Sequence, residues 1–243
     1  MSHLPIMPVL VPMFVGALLL VLRGSLDMKR ALALLATLVQ VLLASLLMVQ
    51  ASQGTQVYAL GNWMPPFGIV LVVDRLSALL LLVTSILASG ALLYAIRGDD
   101  AAGRNFHPLF QFQLMGINGA FLTGDLFNLF VFFEILLIAS YALLLHGAGS
   151  ARVRSGLHYL LLNLTGSALF LIAVGTLYGV TGTLNMADMA LRVRELGADG
   201  APLVGAAGML LLVVFGLKTA FFPLYFWLPR AYAGATGAVA ALF

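Results

Sequence analysis

Two apolar stretches decide the fold: LFNLFVFFEILLIASYALLL at residues 126–145 and LVGAAGMLLLVVFGLKTAFFPLYFWL at residues 203–228. Each contains one charged side chain, Glu134 in the first and Lys218 in the second. A helix needs roughly 20 apolar residues to cross the hydrocarbon core of a bilayer. A lone charge at the bilayer centre costs at least about 2.5–3.5 kcal/mol, so such charges usually face a bundle interior, pair with each other or relay ions. These two positions are therefore the first candidates for function.

The composition of the whole chain is that of a membrane protein. Of 243 residues, 62% are hydrophobic and 9% are charged, and the mean hydropathy is +1.08. A soluble domain of this composition would expose large apolar patches. A net charge of +3 fits membrane orientation better than nucleic-acid binding. The absence of cysteine excludes disulfides, thiolate-held iron–sulfur clusters and cysteine-based zinc sites, and the sequence indicates neither a bound cofactor nor a metal site.

Apolar runs predict an all-α polytopic bundle that forms a single membrane domain over residues 1–243. Seven complete transmembrane helices are predicted near residues 5–22, 31–49, 69–96, 107–123, 126–145, 157–180 and 203–228. An eighth begins near residue 233 and reaches Phe243 at about half the length that a span requires. The first run lacks a basic n-region and a cleavage site, so it is predicted to be a retained helix and not a signal peptide.

Basic residues predict the orientation of the bundle. Alternate loops contain Arg23, Lys29, Arg30, Arg97, Arg104, Arg152, Arg154 and Arg230. By the positive-inside rule these loops are predicted to be cytoplasmic. The chain is therefore expected to be a multi-pass protein of the cell inner (plasma) membrane, with its N-terminus on the outer side. The opposite loops either lack basic residues or balance them with acids, as in the 181–202 loop, which contains Asp188, Arg192, Arg194, Glu195 and Asp199. Apolar residues at helical spacing in that loop predict a short surface helix around residues 188–196.

Glu134 is the ninth residue of its run, so at 1.5 Å per residue it lies about 12 Å into the membrane. Desolvation favours the neutral carboxyl and a nearby cation favours the charged one, so movement of a partner can switch its protonation. The alternative is a hydrogen-bonded acid that only specifies helix packing. Tyr141, seven residues further on, shares the helix face of Glu134 and is a candidate relay.

Lys218 precedes Pro223 and Pro229 in the same apolar run. Proline lacks a backbone donor and clashes one turn back, which predicts a helix break near Lys218. Broken helices at membrane depth mark ion pathways in transporters. The alternative is a lysine that extends from an ordinary helix end to the membrane interface.

His158 and Thr165 lie seven residues apart and share a face of the sixth predicted helix, where they are candidate relay residues. A packing or interfacial role for His158 is the alternative. Asp125 lies in a tight turn, where we expect it to cap the fifth helix. Asp74 and Arg75 are expected to anchor the third span at the interface.

Several segments resemble the antiporter-like proton-channel family. They are GINGAFLTGDLFNLFVFFE at residues 116–134, GLK at 216–218 and PLYFWLP at 223–229. That family includes large membrane-arm subunits of respiratory complex I and antiporter subunits of Mrp-type multisubunit Na⁺/H⁺ antiporters. LGNW at 60–63, PFGIVLV at 66–72 and TGTLNMAD at 181–188 are most similar to the D subunit of the Mrp (Mnh, Pha) antiporters.

The resemblance implies that Glu134 and Lys218 form the coupled pair of one proton half-channel. Tyr225 and Tyr232 stand where complex I subunits tend to have histidine, which favours the Mrp branch. The family has about fourteen helices built around two inverted five-helix repeats, so the resemblance implies an N-terminal portion in which the first repeat is incomplete.

The chain is therefore predicted to be a subunit of a monovalent cation/proton antiporter that exchanges H⁺ for Na⁺ or K⁺. Its expected partners are the other subunits of a hetero-oligomeric complex, the lipid bilayer, protons and monovalent cations, and not nucleic acid. One alternative is a proton-pumping subunit of an NADH–quinone oxidoreductase or membrane hydrogenase, in which case the complex is an enzyme. A third hypothesis, from another class, is a non-transporting scaffold subunit whose buried charges only fix assembly.

Overall fold

The computed structural model describes residues 3–147, 149–197 and 200–243, so Asp199 lies outside the described residues. The described chain is an α-helical bundle with one short β-hairpin. In chain order, its elements are α1 Met7–Val21, α2 Leu26–Gln53, β1 Gln56–Ala59, β2 Val70–Val73, α3 Arg75–Ala95, α4 Phe106–Leu122, α5 Leu126–Leu144, α6 Ser150–Thr181, α7 Met186–Glu195, α8 Ala201–Lys218, α9 Leu228–Gly234 and α10 Gly237–Leu242.

Six helices among the described residues are long and apolar enough to cross a membrane: α1 with the turn before it, α2, α3, α5, α6 and α8. The fourth predicted span corresponds to α4, which has 17 residues. The predicted surface helix corresponds to α7, with bounds Met186–Glu195. The chain is thus a multi-pass helical membrane protein, as its composition predicts.

The third predicted span is wrong at its beginning. The apolar run from residue 69 predicts a helix, but Val70–Val73 is β2, and it pairs antiparallel with β1 from Gln56↔Val73 to Ala59↔Val70. Three of the four β2 residues are β-branched valines, which favour extended backbone. Helix α3 begins only at Arg75, after Asp74.

Asp74 is the N-cap of α3. Its carboxylate accepts a hydrogen bond from the Ser77 backbone N–H at 2.7 Å, and its own N–H donates to Ser77 Oγ at 2.9 Å. This reciprocal arrangement satisfies donors that the first turn of a helix leaves free. Asp125 caps α5 in the predicted way, accepting from the Asn128 N–H at 2.8 Å.

Helix α4 lies inside the bundle, where it packs against α1 and α5. Phe106, Phe110 and Leu114 recur every four residues and are almost completely buried, so they form one face of the helix. On the side towards α5, a Cβ added at Gly116 would lie 2.6 Å from Leu136 Cβ, and one at Gly119 would overlap the Phe132 ring. Small residues at these two positions therefore allow α4 and α5 to approach closely, as is common between membrane helices.

A buried polar contact compensates for a proline inside α1. Pro12 lacks the N–H that would bond to the Pro8 carbonyl one turn earlier. That carbonyl instead accepts from Asn118 Nδ2 at 2.8 Å and from Gln40 Nε2 at 3.1 Å. Helices α1, α2 and α4 are thereby joined by hydrogen bonds in a region where an unpaired carbonyl would cost several kcal/mol.

The loops form two groups. At one end of the bundle, the Gly124 N–H donates to the Val70 carbonyl at 2.9 Å and the Met186 N–H donates to the Gly124 carbonyl at 2.9 Å. The hairpin, the α4–α5 turn and the α6–α7 turn therefore lie together, and all three belong to the loops predicted to be outside. The second group contains the loops rich in basic residues, where Arg30 at the start of α2 forms an ion pair with Asp100 in the loop after α3.

Candidate functional site

The helix break falls where the two prolines predict it, because α8 ends at Lys218. The segment that follows turns back on the end of the helix. Trp227 Nε1 donates to the Leu217 carbonyl at 2.8 Å, and the Phe221 N–H donates to the Gly216 carbonyl at 2.8 Å. These bonds satisfy carbonyls that a helix end leaves free. Pro223 lies inside the interruption, whereas Pro229 lies in the first turn of α9, a position that proline favours.

The Lys218 side chain lies against α6 and α5. Its Nζ donates to Ser167 Oγ at 3.3 Å and lies 5.2 Å from the centroid of the Phe133 ring. Ser167 is buried. A hydroxyl acceptor and the face of an aromatic ring are both favourable neighbours for an ammonium group.

Glu134 lies on α5 beside Phe133. Its Oε1 is buried, and no group among the described residues hydrogen-bonds to it. The ion pairs of the described chain do not include one between Glu134 and Lys218. The ring near Lys218 Nζ thus belongs to Phe133, the residue before Glu134, and the structure does not pair Glu134 and Lys218 directly.

Tyr141 is near a second tyrosine on α6. Its ring meets that of Tyr159 edge to face, with centroids 5.2 Å apart. The Tyr159 hydroxyl lies 3.0 Å from Ser140 Oγ, and its ring lies 5.2 Å from that of Trp227. Tyr141 is thus linked by aromatic packing to the segment that interrupts α8.

The other two candidate relay residues are not brought to Glu134 or Lys218 by any contact that the structure describes. Thr165 donates to the Leu161 carbonyl of its own helix at 2.9 Å and lies on an exposed face. His158 packs beside Phe226, with ring centroids 6.2 Å apart. It also lines a cavity with two arginines, Arg154 and Arg230.

A charged cluster that the sequence did not indicate lies in the loop after α3. Asp100 is fully buried and accepts from Arg30 Nε at 2.6 Å and Arg30 Nη2 at 2.9 Å. Nε2 of His107 lies 3.0 Å from the same carboxylate. The Arg30 guanidinium holds the pKa of Asp100 below its ordinary value, against the opposing effect of burial. The sequence offers one signal for this cluster, which is that Asp99 and Asp100 lie between Arg97 and Arg104 in a loop that otherwise contains basic residues.

Comparison with known proteins identifies the family. A family model described as NADH:quinone oxidoreductase/Mrp antiporter, transmembrane, matches residues 123–243, which include both Glu134 and Lys218. The D subunit of a probable K⁺/H⁺ antiporter from Rhizobium meliloti (strain 1021) is 51% identical to this chain, over all of the chain and 46% of that protein. The chain belongs to the NADH:quinone oxidoreductase/Mrp antiporter family.

Solved structures of other family complexes have the same fold. The Mrp complex from Dietzia sp. DQ12-45-1b contains a chain that matches with a TM-score of 0.90 and 32% identity, over 100% of this chain and 46% of that one. A chain of the membrane-bound sulfane sulfur reductase, an archaeal respiratory membrane complex, matches with a TM-score of 0.89 and 31% identity, over 98% of this chain and 49% of that one. The chain spans about half the length of these family members.

Proposed function

We propose that this chain belongs to a subunit of a monovalent cation/proton antiporter, which moves protons through Glu134 and Lys218 in exchange for Na⁺ or K⁺. The observation that carries the proposal is the position of Lys218. Lys218 is the only charged residue of α8 and is the residue at which that helix ends. Its half-buried side chain contacts Ser167 and the ring of Phe133, which lies on the same helix as Glu134. The similarity to the D subunit of a probable K⁺/H⁺ antiporter supports antiport as the activity.

The proposed mechanism alternates the charges of the two groups. While both are ionised, each partly offsets the desolvation of the other. When a proton from outside neutralises Glu134, Lys218 loses that compensation and is driven to release its own proton onward. Phe133 and Ser167 hold Lys218 near α5 during this step, so a small shift of the α8 end changes the distance between the charges.

We propose the setting of this activity from the same similarities and from the distribution of basic residues along the chain. The chain works beside other subunits in a hetero-oligomeric complex in the plasma membrane, with its N-terminus outside. Its partners are those subunits, the bilayer lipids, protons and monovalent cations, and nucleic acid is not among them. Chemistry other than ion movement belongs to other subunits.

Exchange measured in vesicles tests the proposal. The full-length complex with Glu134→Gln or Lys218→Ala should lose at least about tenfold of its ΔpH-driven Na⁺ and K⁺ exchange, because each change removes one member of a coupled pair. The double variant should be no worse than either single one. Matched controls are Glu195→Gln on the exposed α7 and Lys29→Ala, which alters the other lysine of the chain.

Near-normal exchange in either single variant, at equal protein level, would exclude the pair as the proton path. Two partial defects that simply add in the double variant would exclude their coupling. Full exchange without both charges would favour the scaffold hypothesis.

A second function is favoured by the similarity to the sulfane sulfur reductase chain. In that alternative the same residues pump protons within a respiratory complex, such as an NADH–quinone oxidoreductase or a membrane hydrogenase, and redox chemistry elsewhere drives them. Purification of the native complex distinguishes the two functions, because only a respiratory complex would contain iron–sulfur subunits.

A further inference from the structure

A polar cavity of about 630 Å³ lies between the start of α6 and α9, and neither Glu134 nor Lys218 lines it. Its lining residues are Ser150, Arg154, Ser155, His158 and Arg230. This size is within the range of pockets that bind small ligands. The proton path proposed above does not require the two arginines of this cavity.

The cavity is built by the spacing of residues on one helix and the close packing of another. Ser150, Arg154 and His158 recur every four residues, so they lie one above another on a single face of α6. Helix α9 supplies Arg230 and packs against α6. Gly234 of α9 lies beside Ser155, where an added Cβ would be 3.4 Å from Ser155 Cβ, an ordinary contact distance.

The charges that line the cavity have one sign. Arg154 and Arg230 have no hydrogen bond or ion pair with any other described residue, and none of the five lining residues is acidic. Two other arginines of the described chain do pair with acids, Arg30 with Asp100 and Arg192 with Asp188. Two like charges that share a cavity repel each other, so a bound anion would stabilise this arrangement.

The donors suit an anion with several oxygen atoms. Guanidinium groups form paired hydrogen bonds with phosphate oxygens. The hydroxyls of Ser150 and Ser155 add donors in the same cavity. Cationic His158 would add another, and neutral His158 can donate from one ring nitrogen.

The length of α6 allows the cavity to lie at the level of lipid headgroups. The helix has 32 residues, which corresponds to about 48 Å, whereas the hydrocarbon core is about 30 Å thick. The helix is therefore long enough for its first turns, which contain Ser150 and Arg154, to extend beyond the hydrocarbon on the side predicted to be cytoplasmic. Basic pockets between helices on that side bind the headgroups of anionic lipids.

We propose that this cavity binds a phosphate group, supplied by the headgroup of an anionic phospholipid. Arg154 and Arg230 hold the phosphate oxygens from two helices, and Ser150, Ser155 and His158 complete the donors. Because the lipid contacts both α6 and α9, its binding fixes α9, the helix that follows the interruption at Lys218, against the bundle. The proposal is independent of antiport, since binding alone tests it.

Native mass spectrometry of the full-length complex tests the site, with phosphatidylglycerol titrated into the detergent. The double variant Arg154→Gln/Arg230→Gln should retain one tightly bound phosphatidylglycerol fewer per copy of this subunit, and its remaining affinity at this site should be at least about tenfold lower. The matched control Arg97→Gln/Arg104→Gln removes two exposed arginines from the same predicted side of the membrane and should bind like the wild type. The variant Arg154→Lys/Arg230→Lys keeps both charges, so it serves as the test if the glutamine variant fails to assemble; loss of the paired hydrogen bonds should still weaken its binding severalfold.

Two further ligands distinguish the sources of the phosphate. Phosphatidylcholine should bind equally to all variants, and inorganic phosphate should displace the retained phosphatidylglycerol only at millimolar concentration. Tight binding of inorganic phosphate to the wild type, lost in the double variant and without selective retention of phosphatidylglycerol, would overturn the lipid as the source. Equal retention of phosphatidylglycerol by the wild type, the glutamine variant and the lysine variant would overturn the site itself.

Discussion

At the scale of single residues, the central feature is that a half-buried lysine has a hydroxyl and an aromatic ring as neighbours. A carboxylate within ion-pair distance would hold the ammonium group in its charged form. Ser167 and Phe133 interact with the charge more weakly than a carboxylate would. The proton transfer that we propose between Glu134 and Lys218 requires this absence of a fixed ion pair, and one Glu134 oxygen also lacks a described partner.

Replacement of Ser167 by alanine should lower ΔpH-driven exchange severalfold. The change removes the hydrogen bond to Lys218 Nζ, and hydrogen bonds to charged groups contribute about 1.5–3 kcal/mol. The matched control is Thr165→Ala, because Thr165 lies on the same helix but donates to its own backbone on an exposed face. An equal loss of exchange in both variants, at equal protein level, would show that the Ser167 contact has no special role.

Sequence reasoning found the lone charges but not their neighbours. Glu134 and Lys218 are conspicuous because each interrupts a long apolar run. Ser167 is one small hydroxyl in an apolar helix, and its partner is 51 residues away. Asp100 likewise pairs with a residue 70 positions earlier. Periodicity within a segment contains no information about such distant pairs.

At the scale of elements, the loop after α3 is held to α2 and α4 by Asp100. The carboxylate is fully buried and contacts Arg30 from one helix and His107 from the other. Removal of one member of a buried ion pair leaves the other without compensation, which is strongly destabilising. This contact therefore fixes the ends of three helices relative to one another.

Asp100→Asn should lower the Tm of the complex by several degrees at pH 7, whereas Asp27→Asn should not. Asp27 also contacts Arg30, but its side chain is 87% exposed, and exposed pairs contribute little. Because the pKa of Asp100 is lowered in the folded chain, its contribution is complete above the unfolded value near 4 and is lost as the pH falls below it. In thermal denaturation, the difference in Tm between the wild type and Asp100→Asn should narrow below about pH 4. Equal Tm values for these two proteins at pH 7 would contradict the structural role of Asp100.

Hydrophobic runs located most of the helices, while the hairpin was missed for a physical reason. Residues 69–96 form one continuous apolar run, so its composition gave no boundary between β2 and α3. The β-branched valines and the Asp74 cap were the available signals. The close contact between α4 and α5 was also hidden, since glycines at 116 and 119 show which residues lack side chains but not which helix lies opposite.

Gly119→Ala should destabilise the protein by about 1–3 kcal/mol, because the added methyl group would overlap the Phe132 ring and force α4 and α5 apart. Gly175→Ala on α6 is the matched control. A Cβ there has nothing within 4 Å, and alanine is the better helix former. Thermal denaturation of both variants in detergent measures the difference, and equal stability of the two would show that the α4–α5 contact tolerates the added atom.

At the scale of the whole molecule, the two groups of loops agree with the alternation of basic residues along the chain. The β-hairpin, the α4–α5 turn and the α6–α7 turn are joined by backbone hydrogen bonds, and they belong to the set predicted to be outside. The regions around Arg30, Asp100 and His146 contact one another and belong to the opposite set. Charge distribution and packing thus divide the loops in the same way.

The absence of cysteine in this chain makes the orientation directly measurable by labelling. Thr55→Cys places a single thiol in an exposed position near the hairpin, and Ala101→Cys places one in an exposed position beside Asp100. Because positively charged loops stay in the cytoplasm, a membrane-impermeant maleimide should label Thr55→Cys in intact cells and should label Ala101→Cys only after permeabilisation. The full-length protein, with any other cysteines replaced, is the required background. Labelling of Ala101→Cys but not Thr55→Cys in intact cells would reverse the orientation, and would place the arginine-lined cavity at the outer leaflet, away from the anionic lipids of the cytoplasmic leaflet.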